Sequence, residues 1–397
     1  MKLKFRVRSA LVTGFVLAYP AFLFNGVAAH LLGGQFAIPG LYSVGLALAL
    51  MAGILLATRL RAVNSMDVLF AAFMAWVFFR VALAYGLGHR SLGELAPYFV
   101  MLLWYGGTYS LGRFTEFKDN SRFLVMLLVA CVLLLLPLVD WTYLYIPYEV
   151  GADGAATIGY QGFGRSIFLI LLLALFTLDK PMTMVAVTVV GAGALGVVGS
   201  RSEFYAFSTG CAVVISLLVF ANRKALFVVA GGGVVAIAAG LAYWIMSGQS
   251  LGNTTLRIME LFSGESTSLA ERMALFFPIL MPVVQNDLNF AFGDILRYAD
   301  VTGNTGLYLH NILSVLTDFG LVGLMLYVSL CLFAAIELIR ATDGYQRLAA
   351  IGFAIACIIM VLGAKSLFWA EIALFWGLGA HCRAVRRRQA AADGAVG

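Results

Sequence analysis

Apolar runs of about 17–25 residues, broken by short charged clusters, recur along most of the chain. That is the length a helix needs to cross the hydrocarbon core of a bilayer. The runs fall near 10–32, 39–57, 67–88, 95–112, 123–140, 164–178, 181–199, 204–220, 225–246, 311–338, 348–364 and 366–382. They predict an all-α polytopic membrane protein of about twelve transmembrane helices, arranged as a single integral membrane domain over 1–397. Two longer intervals separate the runs. Residues 141–163 are rich in aromatics and glycine. Residues 247–310 form the largest polar interval, in which Ser268-Leu269-Ala270-Glu271 fits a capping box and predicts a short helix near 269–280. That helix is too short to span and is expected to lie on the membrane surface.

Composition agrees with this pattern. Hydrophobic residues make up 62% of the chain and charged residues 12%, with a mean hydropathy of +0.95. The basic start MKLKFRVRSA leads into a full-length apolar run with Pro20 and Asn25 inside it, and no small-x-small site follows a short apolar core. It therefore reads as a first span and not as a cleaved signal. The five cysteines fall in or at the ends of apolar runs without a CxxC pair, so neither a disulfide framework nor a metal site is expected.

The net charge of +6 would point to an anionic partner in a soluble chain, but basic residues accumulate on the cytoplasmic side of a membrane protein whatever its function. Placing both termini inside puts most Lys and Arg in inner segments, including the basic tail 383–397, expected to be an anchor followed by disorder. No nucleic-acid partner is called for. Eight basic residues remain on the outer half: Arg80, Arg90, Arg165, Arg201, Arg257, Arg272, Arg297 and Lys365. The 141–163 and 247–310 loops then also face outward.

A cation near or inside a bilayer is costly and needs a partner. Arg201, in GVVGSRSEF, suits two roles: a snorkelling cation paired with Glu203, or a bidentate phosphate ligand. Arg272, beside Glu271 in the first turn of the loop helix, suits a surface ion pair or an anion contact. Arg257 and Arg297 share that ambiguity, Arg80 lies within a span, and Arg165 stands at a span entrance.

The His310-Asn311 pair opens a long apolar helix. His310, Ser314 and Thr317 share one helical face, while Asn311, Val315 and Asp318 line the next. This polar outer end is expected to border a wet cavity. His310 suits either a capping role or catalysis, because a positive helix end and nearby arginines disfavour imidazolium and leave a neutral ring able to accept a proton. The other three histidines, His30, His89 and His381, are isolated in sequence. The chain contains no H-E-x-x-H, Walker A or D-x-D motif, which argues against a cytoplasmic nucleotide-sugar transferase or an ATP-driven pump.

The stretch LHNILSVLTDFGLVGLMLY resembles the H-N-x-x-L-x-x-L-x-x-x-G-x-x-G-L segment of the O-antigen polymerase and O-antigen ligase superfamily. GSRSEF resembles that family's Ser-Arg motif, and ERMALFFPILMPVVQNDLNFAFGD its arginine-led loop helix and glycine turn. The three occur in the family's order and cover about residues 190–335. Two positions depart from the pattern: Ala274-Leu275 stand where many relatives carry tryptophan, and the glycine turn shrinks to Phe292-Gly293-Asp294.

The resemblance implies a GT-C-like, metal-independent, inverting glycosyltransferase without a cofactor, at the periplasmic face of the bacterial inner membrane. Its donor would be an oligosaccharide on undecaprenyl diphosphate. Arg201 and Arg272 would bind the diphosphate and His310 would activate the acceptor hydroxyl. Arg80, Arg165, Asn311, Arg257, Arg297 and Lys365 would support them. A polymerase would transfer the glycan to another lipid-linked repeat unit, and a ligase to lipid A-core. The balance leans to the polymerase. A transporter or flippase is the reading from another class, and it predicts related halves and discontinuous helices around a midplane site.

Overall fold

The computed structural model describes residues 63–114, 117–141, 146, 160–221, 267–303, 309, 311–364, 367–369 and 371–393. These residues form helices and no strands. The first group comprises α1 (Ser65–Gly86), α2 (Leu92–Phe114) and α3 (Ser121–Leu135, continued by a 3-10 turn to Leu138). Next come α4 (Tyr160–Thr177), α5 (Pro181–Val198) and α6 (Arg201–Ala221). Three helices fill part of the long polar interval: α7 (Thr267–Val284), α8 (Asp287–Phe292) and α9 (Arg297–Thr302). The last are α10 (Leu313–Arg340), α11 (Gly344–Gly363) and α12 (Ile372–Asp393).

Every predicted span within the described residues coincides with a helix. The runs 10–32, 39–57 and 225–246 lie outside them, as does most of 141–163. Among the described residues, five helices are long and apolar enough to cross a bilayer: α1, α3 with its 3-10 extension, α5, α10 and α11. This is a helical membrane protein.

The reasons for α1 are local and complete. Asn64 caps it by accepting from the Met66 and Asp67 amides, and the Asp67 carboxylate accepts from the Asn64 amide at 2.8 Å. Met66, Phe70, Phe73, Val77 and Val81 recur at three- and four-residue spacing and are buried, whereas Phe78 and Phe79 are more than half exposed. One face thus packs on the bundle and the rest is apolar toward lipid.

Close helix approach builds the centre. A Cβ on Gly112 of α2 would lie 2.3 Å from the Leu374 carbonyl oxygen of α12, and one on Gly377 would lie 2.1 Å from the Tyr109 carbonyl oxygen. Small residues let backbones meet in this way where lipid offers no hydrophobic drive between helices. Beside that seam the buried Phe73, Tyr105, Tyr327 and Trp376 rings interlock, with Tyr327 and Trp376 centroids 5.0 Å apart and edge to face.

The bundle has two chemically distinct ends. At one, Arg113 pairs with Asp67 at 2.9 Å, His381 Nδ1 meets the Arg113 carbonyl, and Arg383 and Arg386 both reach Glu337. At the other, Arg90 pairs with Asp300, Arg80 reaches the Gly293 carbonyl, and the Ser314 hydroxyl meets the Leu367 amide.

Three elements differ from expectation. The tail expected to follow its basic anchor as disorder continues α12 to Asp393, because its alanine-rich sequence favours helix and Glu337 neutralises two of its arginines. The loop helix runs from Thr267 to Val284 with Pro278 and Pro282 inside it, beyond the expected 269–280. The helix after His310 starts at Leu313 and breaks at Gly320, whose φ of 68° and ψ of −170° leave the helical region. A Cβ there would sit 2.4 Å from the Ala291 carbonyl oxygen. Gly320→Ala should therefore cost about 2–4 kcal/mol of stability. Gly363→Ala, where nothing lies within 4 Å, should stay within about 0.5 kcal/mol of wild type. Denaturation in detergent measures both.

Candidate functional site

The break in α10 organises the second end of the bundle. Its first part, Leu313–Phe319, enters by about 10 Å at 1.5 Å per residue before the ladder opens. The segment from α8 to α9 then plugs the opening. The Asp294 amide donates to the Thr317 carbonyl at 2.6 Å, and Trp76 Nε1 of α1 donates to the Phe319 carbonyl at 2.9 Å. Gly293, at φ 85°, lies against Asp318, where a Cβ would be 2.4 Å from the Asp318 carbonyl oxygen. The freed carbonyls of the break are satisfied by the chain's own donors, as membrane depth requires.

Side chains lock this insertion. Arg80 donates to the Gly293 carbonyl at 2.9 Å. Arg90 grips Asp300 with both terminal nitrogens, at 2.7 and 2.5 Å, and donates from Nε to the Ile295 carbonyl at 3.1 Å. The hydrogen bond from Arg90 holds the Asp300 carboxyl below its usual range. Asp294 is half-buried close to Arg297, Arg90 and Arg80, and burial pushes its carboxyl up despite them. Asp318 is fully buried within α10, and Tyr98 of α2 donates to one of its oxygens at 2.7 Å. The other Asp318 oxygen is buried without a hydrogen-bond partner among the described residues, and Leu296 in the plug is the one residue other than glycine with a left-handed φ there.

The start of α10 is joined to α4 by residues 367–369. The Ser314 hydroxyl accepts from the Leu367 amide at 2.9 Å, Tyr105 donates to the Leu367 carbonyl at 2.7 Å, and the Trp369 ring lies 6.3 Å from Phe168 of α4. Arg165 is one turn from Phe168, toward the start of α4. Its neighbour Gly164 packs on the turn between α5 and α6, where a Cβ would lie 2.2 Å from the Ser200 hydroxyl. That turn is made by Gly199, at φ 70°, and it delivers Arg201 as the first residue of α6. Arg165 and Arg201 thus flank one contact between two helix ends.

Both arginines are half-buried, and among the described residues neither forms an ion pair. Arg165 Nε is buried with no hydrogen-bond partner there. Glu203, expected as the alternative partner of Arg201, is fully buried and instead accepts from the hydroxyls of Ser200 and of Ser202, the latter at 2.7 Å. Guanidinium groups without an ion pair among the described residues leave forked donors able to take an oxyanion.

The other expected residues divide. Asn311 starts α10 by accepting from the Leu313 amide at 3.0 Å, so its role is structural. Arg297 opens α9 in the plug, with a buried Nε that has no partner among the described residues. Arg80 has the same feature but also holds Gly293. Arg272 belongs to α7, and its side chain is not among those described; His310, Arg257 and Lys365 lie outside the described residues altogether. Ser314, Thr317 and Asp318, expected beside a wet cavity, are at most 3% exposed. They serve the seam with 367–369 and the plug instead.

Sequence reasoning passed over Tyr98, Asp318, Arg90 and His89 as a group. Asp318 had a signal, since a lone acid inside an apolar span needs a partner. His89 was isolated in sequence but lines a groove with Arg80 and Arg90 in the fold.

No protein-family model matches the chain, and no curated protein matches it significantly.

The Arg90–Asp300 clamp carries a measurable coupling. A double-mutant cycle of Arg90→Ala and Asp300→Asn should give about 1 kcal/mol at neutral pH, the size expected of a partly exposed pair. Because the folded Asp300 carboxyl titrates below its ordinary value of 3.8, that coupling is present above 3.8 and disappears as the pH falls through the lower folded value.

Proposed function

We propose that this protein is a membrane glycosyltransferase that transfers a glycan from undecaprenyl diphosphate to a sugar hydroxyl, acting as a repeat-unit polymerase at the periplasmic face. The observation that carries the reading is that Arg165 and Arg201 each follow a residue of one contact between separate helices, Gly164 against Ser200, and neither forms an ion pair among the described residues. An uncommitted guanidinium pair at a bundle end suits a diphosphate, since arginine offers a planar, permanently charged fork. The Ser-Arg and His-Asn segments that resemble the polymerase and ligase superfamily supply the rest of the argument.

In this reading Arg201, with Arg165 beside it and Arg272 from α7, binds the diphosphate. His310 accepts the proton of the acceptor hydroxyl. The acceptor oxygen forms a bond to the anomeric carbon from the face opposite the diphosphate, and the bond from that carbon to the diphosphate oxygen breaks. The electron pair leaves with undecaprenyl diphosphate, and the anomeric configuration inverts. Guanidinium groups already in place stabilise the charge that develops on the departing oxygens.

The broken helix α10 bears on the competing transporter reading, for which discontinuous helices are a hallmark. In such proteins the opened backbone faces a substrate or ion. Here the Thr317 and Phe319 carbonyls accept from Asp294 and Trp76, which favours a structural pin over a midplane binding site.

The test is reconstitution with an undecaprenyl-diphosphate oligosaccharide, first alone and then with lipid A-core. A ladder of longer lipid-linked glycans from donor alone is the expected product. Product only after lipid A-core is added makes the enzyme a ligase, and no product from either mixture by a folded protein overturns the reading. His310→Ala should abolish turnover while donor binding persists, with a loss of about 10²–10⁴-fold for removal of a general base. Arg201→Ala should weaken donor binding as well. Normal glycan output from a well-expressed His310→Ala protein would sink the mechanism.

A further inference from the structure

A second polar site lies on the outside of the bundle, between the end of α1, the α1–α2 turn and the plug. It is an open groove of about 760 Å³ that Arg80, Arg90, Asp294 and Asp300 enter from three directions. Its chemistry is ordered along the bundle axis. Arg80 sits six residues before the end of α1, hence about 9 Å deeper than Gly86. At that depth an aromatic floor adjoins it: Trp76 lies 5.8 Å from Phe292 and 5.9 Å from Phe79, and Phe79 and Phe292 are 51% and 40% exposed. Beyond the helix end the mouth is acidic. The Asp300 side chain is 40% exposed although Arg90 holds it, and the partly exposed Glu94, which accepts from the Ser91 amide and hydroxyl, interacts electrostatically with both.

We propose that this groove binds the phosphoethanolamine headgroup of a bilayer phospholipid, with phosphate at Arg80 and ammonium at Asp300 and Glu94. Three features of the groove favour that occupant. Apolar surface, cation and carboxylate follow one another outward, the order in which acyl chain, phosphate and ammonium follow one another in such a lipid. Asp300 cancels Arg90 and Asp294 lies near Arg80, so the groove carries little net charge and selects for paired charges of both signs. Arg80 lacks an ion pair among the described residues, and its commitment to Gly293 uses one terminal nitrogen, leaving the other available. A phosphatidylglycerol headgroup offers the phosphate but leaves the acidic mouth unsatisfied. A choline headgroup cannot donate hydrogen bonds to it. The inference stands apart from the glycosyltransferase reading, since the groove is built from α1 and the plug and not from Arg165 and Arg201.

The probe is native mass spectrometry of the detergent-solubilised protein, given equal amounts of phosphatidylethanolamine, phosphatidylglycerol and phosphatidylcholine with identical chains. The expected result is retention of phosphatidylethanolamine over each of the others by about tenfold, roughly one charge-assisted hydrogen bond. Arg80→Met should lose retention of the ethanolamine lipid, with Arg80→Lys restoring part of it. Glu94→Gln, which keeps a side-chain oxygen to accept from Ser91, should narrow the preference over phosphatidylglycerol. Equal retention of the three lipids by the wild-type protein overturns the proposal without recourse to any variant. So does displacement of the ethanolamine lipid by equimolar undecaprenyl diphosphate, which would assign the groove to the polyprenyl donor.

Discussion

A helix can open its hydrogen-bond ladder inside a membrane only where protein groups replace the missing partners. The break at Gly320 meets that constraint, and the second end of the bundle follows from it. Gly293 and Gly320 approach so closely that neither tolerates a side chain. Their contact draws the α8–α9 segment into the mouth of α10, where Asp294 and Trp76 supply the donors that the helix itself no longer provides. Arg80 and Arg90 are then committed to the inserted backbone, and Asp318 to Tyr98. One local departure from regular geometry thus ties α1, α2 and the polar interval to α10.

The spans were legible because their signal is physical and one-dimensional: about twenty apolar residues, closed by charges or by caps such as Asn64. The break was not. Gly320 lies in VLTDFGLVGLML, where two glycines three apart read as small packing residues in a continuous span. What distinguishes Gly320 is a partner about twenty-seven positions earlier along the chain, and no local pattern carries that distance. The same holds for Arg90 and Asp300, whose separation of 210 residues conceals a bidentate clamp. The candidate site was partly legible. Arg165 and Arg201 could each be singled out as cations at span ends, but their adjacency depends on Gly164 meeting Ser200, a contact between two ordinary small residues.

The polar face expected from His310, Ser314 and Thr317 shows how a correct pattern can carry a wrong inference. Ser314 and Thr317 both lie in α10 and both are polar, whereas His310 falls outside the described residues. Helical periodicity reports which side chains lie together, yet it does not say whether water or protein meets them. Here the partners are the Leu367 amide and the helix's own carbonyls. Burying hydroxyls against backbone donors satisfies them as fully as water would, and it fixes the start of α10 against α12's approach.

The two ends of the bundle treat their cations differently, and the difference is the strongest physical pointer to function. At the Asp67 end, Arg113, Arg383 and Arg386 each have a carboxylate, as structural cations near a membrane should. At the Gly320 end, Arg90 alone is paired this way among the described residues, while Arg80, Arg165, Arg201 and Arg297 form no ion pair there. Holding unpaired guanidinium groups at partly buried positions costs stability, and neighbouring carboxylates could have offset that cost. Glu203, two residues along the chain from Arg201, accepts from serine hydroxyls. Cations left available in this way are free to answer an anion that comes and goes, which a permanent carboxylate would exclude. A lipid-borne diphosphate at Arg201 and a lipid phosphate at Arg80 are the two anions proposed above.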